Sequence, residues 1–290
     1  MKRFVISFLL MLATPLCLAL QAFVVADGKL AGGSVQTAMV SVELKLAAAG
    51  LTVVGRYQPQ GIASYGVVVA TDQGLIDAAK AIGGTAVVVI PIRIGIKADG
   101  TVSYVNTEYW GRAYLRGDYS KAESALKAAS KKLQTAFGAG KAFGGEVESD
   151  QLANYRYMWG MERFDDRSII KEYKRFDDAL KVVRDNLAKG AGGLSKVYEL
   201  TYADKKMAVF GVAQNNRENG EGWWVNKING AAHIAVLPWE VFIVDGNVMA
   251  LHGRFRTALG WPSLSMGQFM AIGSHPDSTL RMMEDVAGVK

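Results

Sequence analysis

Residues 232–259, AHIAVLPWEVFIVDGNVMALHGRFRTAL, recur in altered form about 147 residues earlier, at 86–112, AVVVIPIRIGIKADGTVSYVNTEYWGR. A chain that repeats itself in this way folds into two like units, because one pattern of apolar and turn residues favours the same elements twice. In each copy two apolar runs flank a turn, Asp245-Gly246 in the later and Ala98-Asp99-Gly100 in the earlier. Asp-Gly between apolar runs is the strongest short-range hairpin signal, and a two-residue loop predicts a type I′ turn with positive φ at both central positions. The three-residue version predicts a loop closed by a glycine bulge.

The repeat extends beyond the hairpins. Strand-like runs 194–201 and 207–213 match 51–58 and 64–70 at an offset of 143, and the hairpins match at 147 before the turn and 146 after it. The change from 143 to 147 falls in NNRENGEGWWVNKING, 215–230, which replaces a short helix expected over 72–82. Ser34 reads as the N-cap of a helix with Val35, Ala38, Met39, Val42 and Leu46 on its apolar face, and Asp177 opens the counterpart bearing Ala179, Leu180, Val183 and Leu187. A further amphipathic helix spans 118–137 and closes the first half. Each half is thus expected to run helix, four strands, helix. This predicts an α+β fold of two tandem repeats, each a four-stranded antiparallel sheet packed with helices. The first repeat is drawn at 27–145, an aromatic connector at 146–170, and the second repeat at 171–290. Within the first, GAGKAFGG at 138–145 reads as a linker, because a phosphate loop would follow a strand and end in Gly-Lys-Ser/Thr.

The N-terminus has Lys2 and Arg3, an apolar run and then Val24-Val25-Ala26, the pattern of a secretory signal cut before Asp27, at 1–26. An uncleaved anchor is the alternative. Cys17 is the one cysteine, so such a cut leaves a cysteine-free mature chain and excludes disulfides and thiolate chemistry. Losing Lys2 and Arg3 takes the formal charge from +6 to +4, which makes no case for nucleic acid. The expected location is periplasmic or secreted, with no membrane span after cleavage.

The motifs Pro-Ile-Arg-Ile-Gly-Ile at 91–96, Asp99-Gly100 and Tyr104-Val-Asn-Thr-Glu-Tyr at 104–109 resemble the domain-of-unknown-function 302 family, in which tandem copies occur. The likeness is clearest over 35–137 and looser over 176–288, where His252 stands at the place of Asn106. The resemblance implies a curved antiparallel sheet gripped by helices, of the TATA-box-binding-protein-like type. It brings no activity, and no DNA binding.

Pairing the second hairpin about its turn puts Trp239, His252, Arg254 and Arg256 on one face and Glu240 on the other. The basic corner suits a carboxylate or phosphate, since guanidinium forks match those anions bidentately. Alternatively, Arg254 and Arg256 pair with acidic residues of the other half. The first half has Glu108 at the place of Arg254 and Arg93 at that of Glu240, opposite charges suited to docking across a pseudo-twofold axis. Glu240 among apolar neighbours, or His252, is the candidate for general acid–base work. Trp223 and Trp224 in the inserted loop form a lid or stacking platform, or simply pack. His233, His252 and His275 follow no ligand spacing, so no metal is expected, and no cofactor is specified. The expectation is a binding or accessory protein for a small, partly apolar anionic ligand or a protein partner, with Arg93, Asn106, Trp223, Trp224, Trp239, His252, Arg254 and Arg256 as candidate contacts. A hydrolase or isomerase using Glu240 or His252, and a purely structural protein, are the alternatives. A monomer is preferred over a homodimer.

Overall fold

In a computed structural model, which describes residues 18–289, the first half runs β1 (Ala19–Val25), α1 (Val35–Ala48), β2 (Thr52–Tyr57), β3 (Tyr65–Thr71), α2 (Gln73–Ile82), a 3₁₀ segment Gly84–Val89, β4 (Ile92–Lys97), β5 (Val102–Val105), α3 (Thr107–Leu115) and α4 (Tyr119–Phe137). After β6 (Lys141–Glu148) the order returns: β7 (Ser168–Glu172), α5 (Phe176–Ala188), β8 (Leu194–Tyr202), β9 (Met207–Gln214), α6 (Glu221–Lys227), a 3₁₀ segment Gly230–Val236, β10 (Trp239–Val244), β11 (Asn247–Ala250), α7 (Gly253–Gly260), α8 (Met266–Ala271) and α9 (His275–Ala287). The fold is α+β. One antiparallel sheet is ordered β2-β3-β4-β5-β1-β6 and the other β7-β11-β10-β9-β8, so the two share one topology and β6 is added outside β1.

Local chemistry sets the elements where spacing placed them. Ser34 accepts a hydrogen bond from the Thr37 N–H to open α1, whose buried residues are Val35, Ala38, Met39, Val42 and Leu46. Asp72 caps α2 through the Leu75 N–H. Between β4 and β5, Lys97 N–H donates to Thr101 and Gly100 takes φ 86°, giving the three-residue loop with its glycine bulge. The other hairpin has the two-residue loop, but positive φ falls on Asp245 alone (55°), so it is not type I′. Gly246 is needed there for space: a Cβ would collide with the Tyr173 carbonyl.

The structure departs from three sequence expectations and bears on a fourth. Residues 1–17, with Cys17 and most of the expected signal, lie outside the described residues. The cut before Asp27, however, falls behind β1, a strand held between β5 and β6 with Ala22 and Phe23 fully buried. β7 holds the same place against β11 in the second half, so each repeat has five strands instead of four. The 138–145 linker is largely β6, and the aromatic connector packs down: the Tyr155 and Tyr157 hydroxyls donate to the carbonyls of Ala258 and Leu264. Finally, the hairpins are shorter than their apolar runs, because Asn106 and His252 turn the chain into α3 and α7 by capping them.

The halves exchange their 3₁₀ segments. Gly230–Val236 lies on β3, β4 and β5, and Gly84–Val89 lies on β9 and β10. Gly95 makes room for the first, since a Cβ there would come within 2.5 Å of Ile234. The edges β2 and β8 also meet, Gly55 against Tyr198. Among the described residues no helix is long and apolar enough to cross a membrane.

Candidate functional site

Arg93 in β4 and Glu240 in β10, equivalent in sequence, meet across the pseudo-twofold axis with Nη1 2.7 Å from Oε1. Arg256 of α7 brings Nη2 to 2.8 Å from the other oxygen, and also donates to the carbonyls of Val236 and Pro238 (2.9 and 3.1 Å) and to the Tyr114 hydroxyl. Tyr198 donates to Glu240 at 3.4 Å. The Trp110 ring lies 4.9 Å from the Arg93 guanidinium carbon and 5.6 Å from that of Arg256, while Trp239 flanks Arg256 at 5.6 Å. Burial, with Glu240 nearby, holds the Tyr198 phenol well above its usual pKa, and burial raises that of Tyr114 against the pull of Arg256. Both hydroxyls therefore remain donors.

This cluster is closed to solvent: Glu240 is 5% exposed, Arg93 and Arg256 1% each. Two guanidiniums, not the apolar surroundings expected from the sequence, are the close neighbours of Glu240. Its carboxylate oxygens are both engaged, so the arrangement fastens the halves together and offers no path for a substrate. The basic corner is not assembled, because residues 252–256 wind round a helix instead of alternating along a strand. His252 Nδ1 accepts the Arg254 N–H as the cap of α7, and its Nε2 is 3.5 Å from Glu162 of the connector. Arg254 pairs with the same Glu162 at 3.0 Å. Asn106 plays the matching part at α3, accepting from the Glu108 N–H and donating to the Gln21 carbonyl. Of the docking alternative, the opposite charges at equivalent places meet as Arg93 and Glu240, whereas Arg256 finds its carboxylate within its own half and Arg254 finds one in the connector.

The inserted loop forms something different. A cleft of about 690 Å³ opens between the β2–β3 turn of the first half and the stretch 216–227 of the second. Half-buried Trp223 forms one wall, with the Lys227 ammonium 4.5 Å from its ring centroid. Gln60, Asn216, Arg217 and Asn226 supply the remaining polar surface, and no carboxylate lines it. Among the described residues neither Arg217 nor Lys227 has an acidic partner within 4.0 Å, so the cleft is cationic. The turn and α6 come close because both contact positions are glycine: a Cβ on Gly61 would sit 3.2 Å from Gly222 Cα, and one on Gly222 would strike the Gln60 carbonyl. Asn226 fixes the approach by donating to the Gly61 carbonyl at 3.0 Å.

Next to this cleft, Glu221 is fully buried and accepts the Tyr57 hydroxyl at 3.2 Å on each oxygen. Burial pushes its carboxyl up to about 8, opposed by Tyr57 and by the Gln214 backbone. Trp224 points inward instead, stacked on His275 at 4.2 Å and edge-on to Trp239. Burial lowers His275 to about 3; its Nδ1 meets Thr279 Oγ1, which donates to Gln214. His233 stacks on Trp261, whose ring meets Trp224 and so joins the stack on His275, while His252 stands apart beside Glu162. Among the described residues no group of three or more His, Cys, Asp or Glu is placed to hold a metal.

Sequence reasoning found Trp223 but missed Gln60, Gly61, Arg217, Glu221 and Lys227. The Asn- and Gly-rich insertion pointed to its own residues; nothing local marks the opposing turn, which only the docking of the repeats brings near. No family model, curated protein or solved structure matches this chain.

Proposed function

We propose that the protein binds a small anionic molecule with a planar apolar part in the Trp223 cleft. The observation behind this reading is the pairing of an accessible indole with two cations and no lining carboxylate. The ring offers stacking, the amides of Asn216, Asn226 and Gln60 offer directional hydrogen bonds, and Arg217 and Lys227 supply the charge. The size suits one small ligand. The reading includes export, from Lys2, Arg3 and the apolar run that follows, with the cut upstream of β1, and kinship to the domain-of-unknown-function 302 family on the hairpin motifs.

The test is a titration of the purified protein with benzoate, indole-3-acetate and phenyl phosphate, followed by calorimetry and tryptophan fluorescence. Saturable binding that Trp223→Ala and Arg217→Ala/Lys227→Ala each weaken at least about tenfold, with unchanged unfolding midpoints, is the expected result. Indifference to all three probes, or binding untouched by these changes, sinks the proposal.

A further inference from the structure

In the first half β6 covers the outer edge of β1 and sends Phe143 inward against Phe23 (5.5 Å) and His233 (5.4 Å), with His233 stacked on Trp261. The second half has β7 at the place of β1, but among the described residues no strand lies outside it. The backbone of Ser168–Glu172 pairs with β11 alone, and its outward N–H and C=O groups have no backbone partner. An open edge of this kind is a template for another strand.

The repeat register shows what that strand would bring. Val24 faces Tyr104 and Ser168 faces Ala250, and these partners are equivalent, so Arg167 stands at the place of Phe23. By the hairpin offsets, Ala86 stands for His233 and Leu115 for Trp261. Arg167, Ala86 and Leu115 all line one cavity of about 430 Å³ beside β7, together with Ile169, which is 56% exposed. The volume taken by an aromatic side chain and its large neighbours in one half is thus open in the other, where those neighbours are smaller. The mouth of the cavity is basic: Arg116 and Arg167 share the single carboxylate of Asp165 (3.4 and 3.0 Å), Asp118 is taken by Lys121, and Lys171 lies further along the strand. In the first half the covering strand carries Glu146 and Glu148 against the single Lys141, a net negative charge.

We propose that β7 is a strand-addition site for a partner protein. An extended acidic segment joins it antiparallel and places one aromatic side chain opposite Arg167, filling the cavity as Phe143 fills its counterpart. Main-chain bonds supply the docking and the cavity the selectivity. This inference does not depend on the Trp223 cleft.

The probe is a fluorescein-labelled synthetic peptide with the sequence of β6, KAFGGEVE, and a second peptide in which its phenylalanine is alanine. Saturable anisotropy for the first, weakened at least about tenfold in the second, is expected. By this register hydrogen exchange should show new protection at residues 167–169. Ala86→Trp fills the cavity and Ile169→Asp adds a repelling charge at an exposed position; each should abolish binding, and the second leaves the core untouched. Equal binding of the two peptides, no saturation, or protection appearing at β1 instead would overturn the proposal. So would a homodimer in which β7 pairs with β7 of a second copy and excludes the peptide.

Discussion

Where α2 meets the β8–β9 turn, Lys80 reaches Asp204 at 3.0 Å and lies 5.7 Å from the centroid of the Tyr202 ring. Where α6 meets the β2–β3 turn, Lys227 lies over Trp223, Arg217 stands nearby, and no carboxylate answers either. These are the same junction twice, related by the pseudo-twofold axis. One is closed by an ion pair of ordinary surface kind; the other has the longer inserted loop and a cationic cleft. The difference teaches that duplication frees one copy of a contact: while the first junction and the central Arg93–Glu240–Arg256 cluster hold the halves together, the second can be shaped for a ligand.

The sharpest way to break the comparison is to remove the element that makes the halves alike. A chain starting at Asp27 lacks β1, and should lose the cooperative urea transition shown by a chain starting at Leu18. Even Phe23→Ala alone should cost about 3–5 kcal/mol, from the buried ring it deletes. An Asp27 chain with an unchanged midpoint would show that the five-stranded symmetry is dispensable.

Next in size is the shared centre. Glu240→Gln leaves two buried guanidiniums without a countercharge and should cost about 3–5 kcal/mol. In a double-mutant cycle, Arg93→Met with Glu240→Met should cost less than the two singles together, because each single strands the other's charge. Strict additivity would mean that the pair is not coupled across the axis.

Acid–base titration separates the junctions further. Glu221 at the cleft has a folded pKa of about 8, above the roughly 4.3 of an unfolded glutamate. Between these values the folded state holds a proton that the unfolded state releases, so this group makes stability fall as pH rises across that window. His275 acts on the other side: with a folded value of about 3 against roughly 6.5 unfolded, it makes stability fall as pH drops from about 6.5 to 3. Thermal midpoints from pH 5 to 8 should therefore decline less steeply in Glu221→Gln than in the parent. A parallel pair of profiles would remove Glu221 from the account.

The smallest effect belongs to the closed junction. Lys80→Ala opens a pair whose aspartate is exposed and whose lysine is half-buried, and should leave the urea midpoint within error, because solvent screens it. A large loss would mean that the two junctions share the work of docking more evenly than their geometry indicates.

Much of this is legible in the amino-acid sequence. The constant offsets exposed the duplication, the Gly100 bulge was readable from three residues, and the opposite charges at equivalent places anticipated the Arg93–Glu240 contact. The ends of the hairpins were not. Ala86–Ile90 and Ile234–Leu237 are buried on all sides in 3₁₀ or flanking backbone, and a short, wholly apolar run has no period to distinguish it from a strand. Asn106 and His252 did hold a clue, since Asn is a good helix cap and Glu108 follows in the first turn. β1 was hidden for another reason: a sheet interior and a signal peptide both ask for an unbroken apolar run, and Ala22–Val25 satisfies either. The cleft was half visible, because a loop shows its own composition while the turn it faces is chosen by tertiary docking.

The exchanged 3₁₀ segments give the protein a history as well as a shape. The ribosome delivers β3, β4 and β5 long before Gly230–Val236, the segment that covers them, and at roughly 5–20 residues per second the interval is on the order of ten seconds. Throughout it, one apolar sheet face of the first half has no native cover. The second half never waits in this way, since Gly84–Val89 has already been made when β9 and β10 emerge. Symmetry in the finished molecule thus becomes a one-sided burden on the nascent chain, and a substitution that makes the early face stickier should lower yield in the cell more than the same substitution in the later half.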